Sequence, residues 1–170
     1  LNRVKGVGPV CEFDTFVRSH ATSLQATAWL LCGDVDDARD LVQSALLVLY
    51  RRWDRLRDEN LRGYVVTVMA NEHRRAIGRR ARVRDAEWRS AGSDVVPAID
   101  RVSDRDELVR WLEAIGPRQR MAVVLRVVED LPEARVAELL HCSAGTVKSQ
   151  TSRALATLRA QRTADLAQEG

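Results

Sequence analysis

Residues 133–158, EARVAELLHCSAGTVKSQTSRALATL, decide how the rest of the chain reads. Val136, Ala137 and Leu140 recur at helical spacing, as do Val147, Ala154, Leu155 and Leu158 after a break at His141 to Ser143. Two helices joined by so short a turn, with a small Ala at the crossing, fit a helix-turn-helix. Ser143 is a natural N-cap, and the free backbone amides at that helix start suit a DNA phosphate. The second helix turns Thr146, Lys148, Ser149, Gln150, Ser152 and Arg153 away from the apolar stripe. These groups hydrogen-bond base edges and phosphates, and none is acidic. The pattern predicts DNA binding over a plain helical hairpin with a polar outer face.

Upstream, Gly116 and Pro117 end one helix and start another, which turns Met121, Val124, Leu125 and Val128 inward. Before them a capping box, Ser103 to Asp106, opens a helix carrying Leu108, Trp111, Leu112 and Ile115. From about Asp85 to Arg101 the periodicity fails, and Ser90, Gly92, Ser93 and Pro97 mark a linker. The N-terminal part holds three more helices. The first spans about 12–31, with Phe13, Phe16, Val17, Leu24, Ala28 and Leu31 on one face. Gly33 stops it, and Asp34 or Asp36 caps the next. That second helix, about 35–53, buries Ala38, Leu41, Val42, Ala45, Leu49 and Trp53. Asp36, Asp37 and Asp40 sit in its opening turns, where the helix dipole favours negative charge. The third starts near Leu61 and turns Tyr64, Val65, Val68 and Met69 inward. Its second half becomes a block of Arg74, Arg75, Arg79, Arg80, Arg82 and Arg84.

Composition agrees with an all-α chain of two small helical domains. The 170 residues are 45% apolar and 30% charged, a globular balance, and 5% aromatic without alternating β-branched runs. Net charge is only +3, yet the cations are almost all Arg, with Lys5 and Lys148 as the lysines. Biased codon usage explains many arginines, but not their crowding between 74 and 84, which reads as a nucleic-acid footprint. Cys11, Cys32 and Cys142 are odd in number and far apart, and His20, His73 and His141 make no ligand spacing with them. Neither a metal site nor a disulfide framework is expected, and no cofactor. No apolar run is long enough to span a bilayer, and the first residues lack a signal-peptide pattern. A cytoplasmic, reducing home is expected.

The motifs resemble a known family. Gly145-Thr146-Val147-Lys148-Ser149 with Arg153-Ala154-Leu155 looks like region 4 of bacterial sigma-70 factors, and so do Gly116-Pro117-Arg118-Gln119-Arg120 and Leu125-Arg126. Ala38-Arg39-Asp40-Leu41-Val42-Gln43 resembles the polymerase-binding helix of region 2. Ala70-Asn71 with the following arginines resembles the part of region 2 that meets the −10 element. No room remains for a folded region 3, which points to the small extracytoplasmic-function group and, within it, an actinobacterial SigE-like subgroup. The resemblance implies region 2 at 12–84, a linker at 85–102 and region 4 at 103–162. It implies core RNA polymerase as partner through Asp37, Asp40, Leu41 and Gln43. It places the −10 element on Asn71, Arg74, Arg75, Arg79 and Arg80. The −35 element falls to Ser143, Thr146, Lys148, Ser149, Gln150, Ser152 and Arg153. The family's inhibitors are separate chains, so an anti-sigma partner leaves no mark in this sequence.

Four positions depart from the family pattern. His141 stands where Gly is usual, and a left-handed backbone there costs about 1 kcal/mol. Pro132 replaces a Ser or Thr cap, Arg135 a Glu, and Gln150 an Arg. The last bears on base choice, since Arg pairs with guanine and Gln with adenine. A stand-alone helix-turn-helix regulator acting as a dimer is the alternative. An enzyme is not expected, because no nucleophile set, phosphate loop or metal spacing can be named.

Overall fold

The computed structural model describes residues 9–56, 60–88 and 111–168, and their regular structure is helical. The chain divides into two compact units, Leu1–Glu72 and His73–Gly170, with the boundary inside one long helix.

The first unit is built from α1 (Pro9–Cys32), α2 (Val35–Tyr50), the short α3 (Trp53–Leu56) and the opening turns of α4 (Leu61–Trp88). Gly33, at φ 75°, supplies the left-handed residue that lets the chain reverse after α1. Asp34 then accepts hydrogen bonds from the Asp36 and Asp37 backbone amides at 2.9 and 2.8 Å. A cap of this kind stabilises a helix by about 1 kcal/mol. Leu24, Ala28 and Leu31 of α1 close against Ala38, Leu41, Val42, Ala45 and Leu49 of α2. Val65, Val66, Met69 and Ala70 of α4 complete the buried set. Fully buried side chains such as Leu24, Leu49 and Met69 each contribute about 1.5–3 kcal/mol. Rather than running on to Trp53, α2 stops at Tyr50, and a turn closed by Arg52 N–H to the Leu49 carbonyl (2.9 Å) precedes α3. The turn brings Trp53 edge-on to Phe13 at 5.2 Å, and Phe13 also meets Tyr50 at 5.0 Å. Asn60 Oδ1 accepts the Gly63 amide at 3.0 Å and so starts α4.

Helix α4 continues through residues 85–88, where the apolar periodicity had predicted a linker. The rest of that stretch and the capping box at Ser103 to Asp106 lie outside the described residues.

The second unit contains α5 (Pro117–Val123), which opens into a π-helical turn at Val124–Val128, then α6 (Glu133–Leu140) and α7 (Ala144–Gln168). Its core joins Leu112 and Ile115 to Met121, Ala122, Val124, Leu125, Val136, Ala137, Leu139, Val147 and Ala154. The buried Arg120 guanidinium donates to the Leu112 carbonyl and ties the segment before α5 to it. Val128, expected to point inward, is instead 52% exposed, with Val127 at 55%. The wider π turn advances each residue by less than 100°, so an α-helical count overshoots and puts the wrong residue on the core side. Asp130 follows in a left-handed conformation at φ 50°, and Arg126 donates to the Leu131 carbonyl to close the turn. Helix α7 runs one to two turns beyond the expected end near residue 161. The Trp111 indole N–H donates to Asp165 Oδ2 at 2.6 Å and anchors that extension.

Candidate nucleic-acid interface

The tight link between α6 and α7 aims the second helix. His141 adopts φ 53° and ψ 50°, the left-handed cap expected at this position. The Cys142 amide donates to the Ala137 carbonyl at 3.0 Å and the His141 amide to Glu138 at 3.3 Å. Ser143 Oγ then accepts the Thr146 amide at 3.1 Å and meets Thr146 Oγ1 at 2.9 Å, which caps α7 as its sequence implied. Val147 and Ala154, fully buried, fix the rotation of α7. Pro132 acts as the N-cap of α6 with no side-chain hydrogen bond, so the helix begins one residue later than a proline at the first helical position would give. Arg135 pairs with Glu138 at 2.9 Å on the exposed side of α6.

With that rotation set, Thr146, Lys148, Ser149, Ser152 and Arg153 are exposed along α7. Gln150 differs from them. It is half-buried, because positions 147, 150 and 154 share a flank of the helix, and it stands at the edge of the polar face. No carboxylate lies on α7 between Ser143 and Arg153, so this face is cationic and hydrogen-bonding throughout.

In α4, Val65, Val66, Met69 and Ala70 hold one side against the core. Asn71 and Arg74 are half-buried at its margin, and Arg75, Arg79 and Arg80 are exposed. Asn71 and Arg75 lie one helical turn apart on the same stripe.

On α2, Asp40 and Gln43 are exposed and Asp37 is half-buried. Leu41 is only 8% exposed, so its side chain packs inward and holds the helix instead of lying on the outer face. The same outer face carries Leu47, 50% exposed, and Tyr50, 51% exposed. Sequence reasoning passed over both residues. The signal was available, because Asp40, Gln43, Leu47 and Tyr50 recur at three- and four-residue steps, out of phase with the buried stripe. Leu47 and Tyr50 thus leave an exposed apolar strip beside Asp40 and Gln43 on this face.

Among the described residues, no group of three or more His, Cys, Asp or Glu could hold a metal ion, and neither Cys32 nor Cys142 forms a disulfide. Also among them, no helix is long and apolar enough to cross a membrane.

Comparison with known proteins agrees with this arrangement. Residues 16–83 match sigma-70 region 2, and residues 105–158 match sigma-70 region 4. The chain is 36% identical to the RNA polymerase sigma-E factor of Streptomyces coelicolor over 165 residues, covering 90% of this chain and 87% of the relative. It is 30% identical to the ECF RNA polymerase sigma factor SigM of Mycobacterium tuberculosis, covering 86% and 74%. Among solved structures it resembles the sigma factor RpoE of Bartonella quintana, determined with the anti-sigma factor NepR. That likeness has a TM-score of 0.67 at 27% identity and covers 91% of this chain and 98% of the other. The chain therefore belongs to the sigma-70 family, in its extracytoplasmic-function group, whose members are not enzymes but initiation factors that bind core RNA polymerase and direct it to promoters.

Proposed function

We propose that this sigma factor reads promoters through two helices and holds polymerase through a third. Helix α7 enters the major groove of the −35 element, with Ser143 at its start and Thr146, Lys148, Ser149, Ser152 and Arg153 toward the DNA. Gln150, at the edge of that face, takes a base or sugar at the groove wall. Helix α4 meets the −10 element through Asn71, which takes an unstacked base, and through Arg74, Arg75, Arg79 and Arg80, which meet phosphates. Asp37, Asp40 and Gln43 of α2 face polymerase, propped by Leu41 from inside. Residues 12–84 serve as region 2, 85–102 as linker and 103–162 as region 4, close to the matched stretches. The protein works in the cytoplasm at the nucleoid. The solved RpoE relative was determined with a separate anti-sigma chain, and we extend that class of partner to this protein.

The observation that carries the reading is the polar, acid-free face of α7, held outward by buried Val147 and Ala154 behind a capped turn. Transcription by reconstituted holoenzyme from promoters randomised at −10 and −35 tests it. Lys148→Ala is expected to lower output at the −35 element, and Asn71→Ala to change base preference only at −10. Loss of preference at the opposite element in either variant would overturn the assignment. Tight binding of a palindromic duplex without polymerase would favour the dimeric regulator.

A further inference from the structure

The second unit, His73–Gly170, holds a partly enclosed cavity of about 340 Å³. That is the size of a site for a small organic molecule. The second half of α4, together with α5, α6 and α7, forms its wall. Two residues on this wall stand where local stability favours another. Gly78 lies inside α4, where alanine would hold the helix better, and its φ is not positive. A Cβ there would meet nothing within 4 Å, so the glycine widens the cavity without easing any close approach. His141 takes the left-handed φ of 53° that suits glycine, yet it keeps an imidazole on the cavity wall.

The chemistry of the wall is divided. Ile77 and Leu140, both half-buried, are apolar and are backed by buried Met121 and Val147. Arg74 and Arg118 bring two guanidinium groups, and no Asp or Glu lines the cavity. Arg74 is half-buried, and its Nε is buried with no hydrogen-bond partner among the described residues. A buried donor left unpaired is costly, and an anion in the cavity would supply its acceptor. Guanidinium groups favour carboxylates and phosphates, with which they form paired hydrogen bonds. The apolar side of the wall asks for a hydrocarbon body on that anion. A free phosphate or a nucleic-acid strand has none, and a small apolar carboxylate does.

We propose that this cavity binds a small carboxylate with an apolar body, its charge on Arg74 and Arg118 and its hydrocarbon against Ile77 and Leu140. Thr146 and Gln150 also line the cavity, at the edge of the polar face of α7. An occupant therefore opposes −35 DNA at that edge. This consequence rests on α7 being the −35 reader; the binding itself does not.

Octanoate is the probe, with acetate and 1-octanol as controls that lack the chain or the charge. Calorimetry on the full-length protein should show one octanoate site. Acetate should bind about a hundredfold more weakly, because the methylenes no longer leave water. 1-Octanol should bind about tenfold more weakly, as loss of the charge-assisted hydrogen bonds requires. Gly78→Leu, which fills the cavity, should abolish octanoate binding, and Arg118→Gln should weaken it about tenfold. Equal affinity for octanoate and 1-octanol, or wild-type octanoate binding by both variants, would overturn the site. If Gly78→Leu fails to fold, Arg118→Gln decides alone. In holoenzyme, saturating octanoate should weaken binding to a promoter duplex carrying the −35 element, and the effect should be reduced in Arg118→Gln. By reciprocity the duplex should lower octanoate affinity by the same factor. Octanoate that binds without changing promoter affinity, while Lys148→Ala still lowers it, would refute the coupling and leave α7 as the reader.

Discussion

Substituting His141 tests how region 4 is assembled, with a magnitude that follows from the backbone. His141 ends α6 at φ 53° and ψ 50°, inside the paired bonds from Cys142 to Ala137 and from His141 to Glu138. That pairing is a Schellman turn, in which glycine is the unstrained residue. A Cβ in the left-handed region costs about 1–2 kcal/mol. Glycine would relieve this but loosen the unfolded chain, which offsets about 0.4–1 kcal/mol. The imidazole is exposed, so little packing is lost with it. His141→Gly should therefore stabilise region 4 by about 0.5–1 kcal/mol. For a domain of this size the gain corresponds to roughly 2–8 °C in melting temperature. His141→Val should move it the opposite way by at least as much, since a β-branched side chain resists this conformation. Calorimetry of the full-length protein measures the shift, and hydrogen exchange at the Val147 and Ala154 amides assigns it to region 4. An unchanged or lower transition for His141→Gly, together with a harmless His141→Val, would refute the strained-cap reasoning.

Other substitutions separate the three surfaces. Asp40→Arg should abolish binding to core polymerase while changing stability by less than about 0.5 kcal/mol, because Asp40 is exposed; native-gel shift with core polymerase and a thermal melt check the two halves. Lys148→Ala should weaken all −35 sequences alike and reduce the slope of log affinity against log salt by about 1, as loss of one phosphate contact requires; titrations at several salt concentrations measure it. Gln150→Arg should shift preference from adenine toward guanine at one −35 position by roughly 1–3 kcal/mol, read from a randomised library. Trp111→Phe removes the hydrogen bond to Asp165 and should destabilise region 4 by about 1 kcal/mol, with faster amide exchange in the last turns of α7 as its signature.

The buried stripes of α1, α2 and α7 were readable because each has one apolar face at constant period. Ser143 was readable as a cap because a short oxygen-bearing side chain precedes that face, and for α2 the same signal left Asp34 and Asp36 as alternatives, of which Asp34 is the cap. Three features were not. The π turn at Val124–Val128 uses residues equally suited to an α-helix, so nothing local shows that the period widens and turns Val128 outward. The ends of α4 and α7 lack a continuous apolar stripe, and periodicity says nothing about a helix with no buried face. The α7 extension depends on the Trp111–Asp165 bond, between residues too distant in sequence for any local pattern to join. At the site, Asp40, Gln43, Lys148, Ser149, Ser152 and Arg153 were expected outward and are. Leu41 is buried, as its place in the apolar stripe of α2 predicts, but Asp37 and Gln150 are half-buried and lie deeper than their expected roles implied, because a motif names positions without fixing the rotation of the helix.

The most direct test of the central claim is run-off transcription on a pool of promoters with core RNA polymerase, with and without this protein. The account predicts new transcripts whose start sites share −10 and −35 sequences, appearing only when the protein is present and lost with Asp40→Arg. A protein that forms no complex with core polymerase and yields no new start sites, while binding duplex DNA tightly by itself, would contradict it.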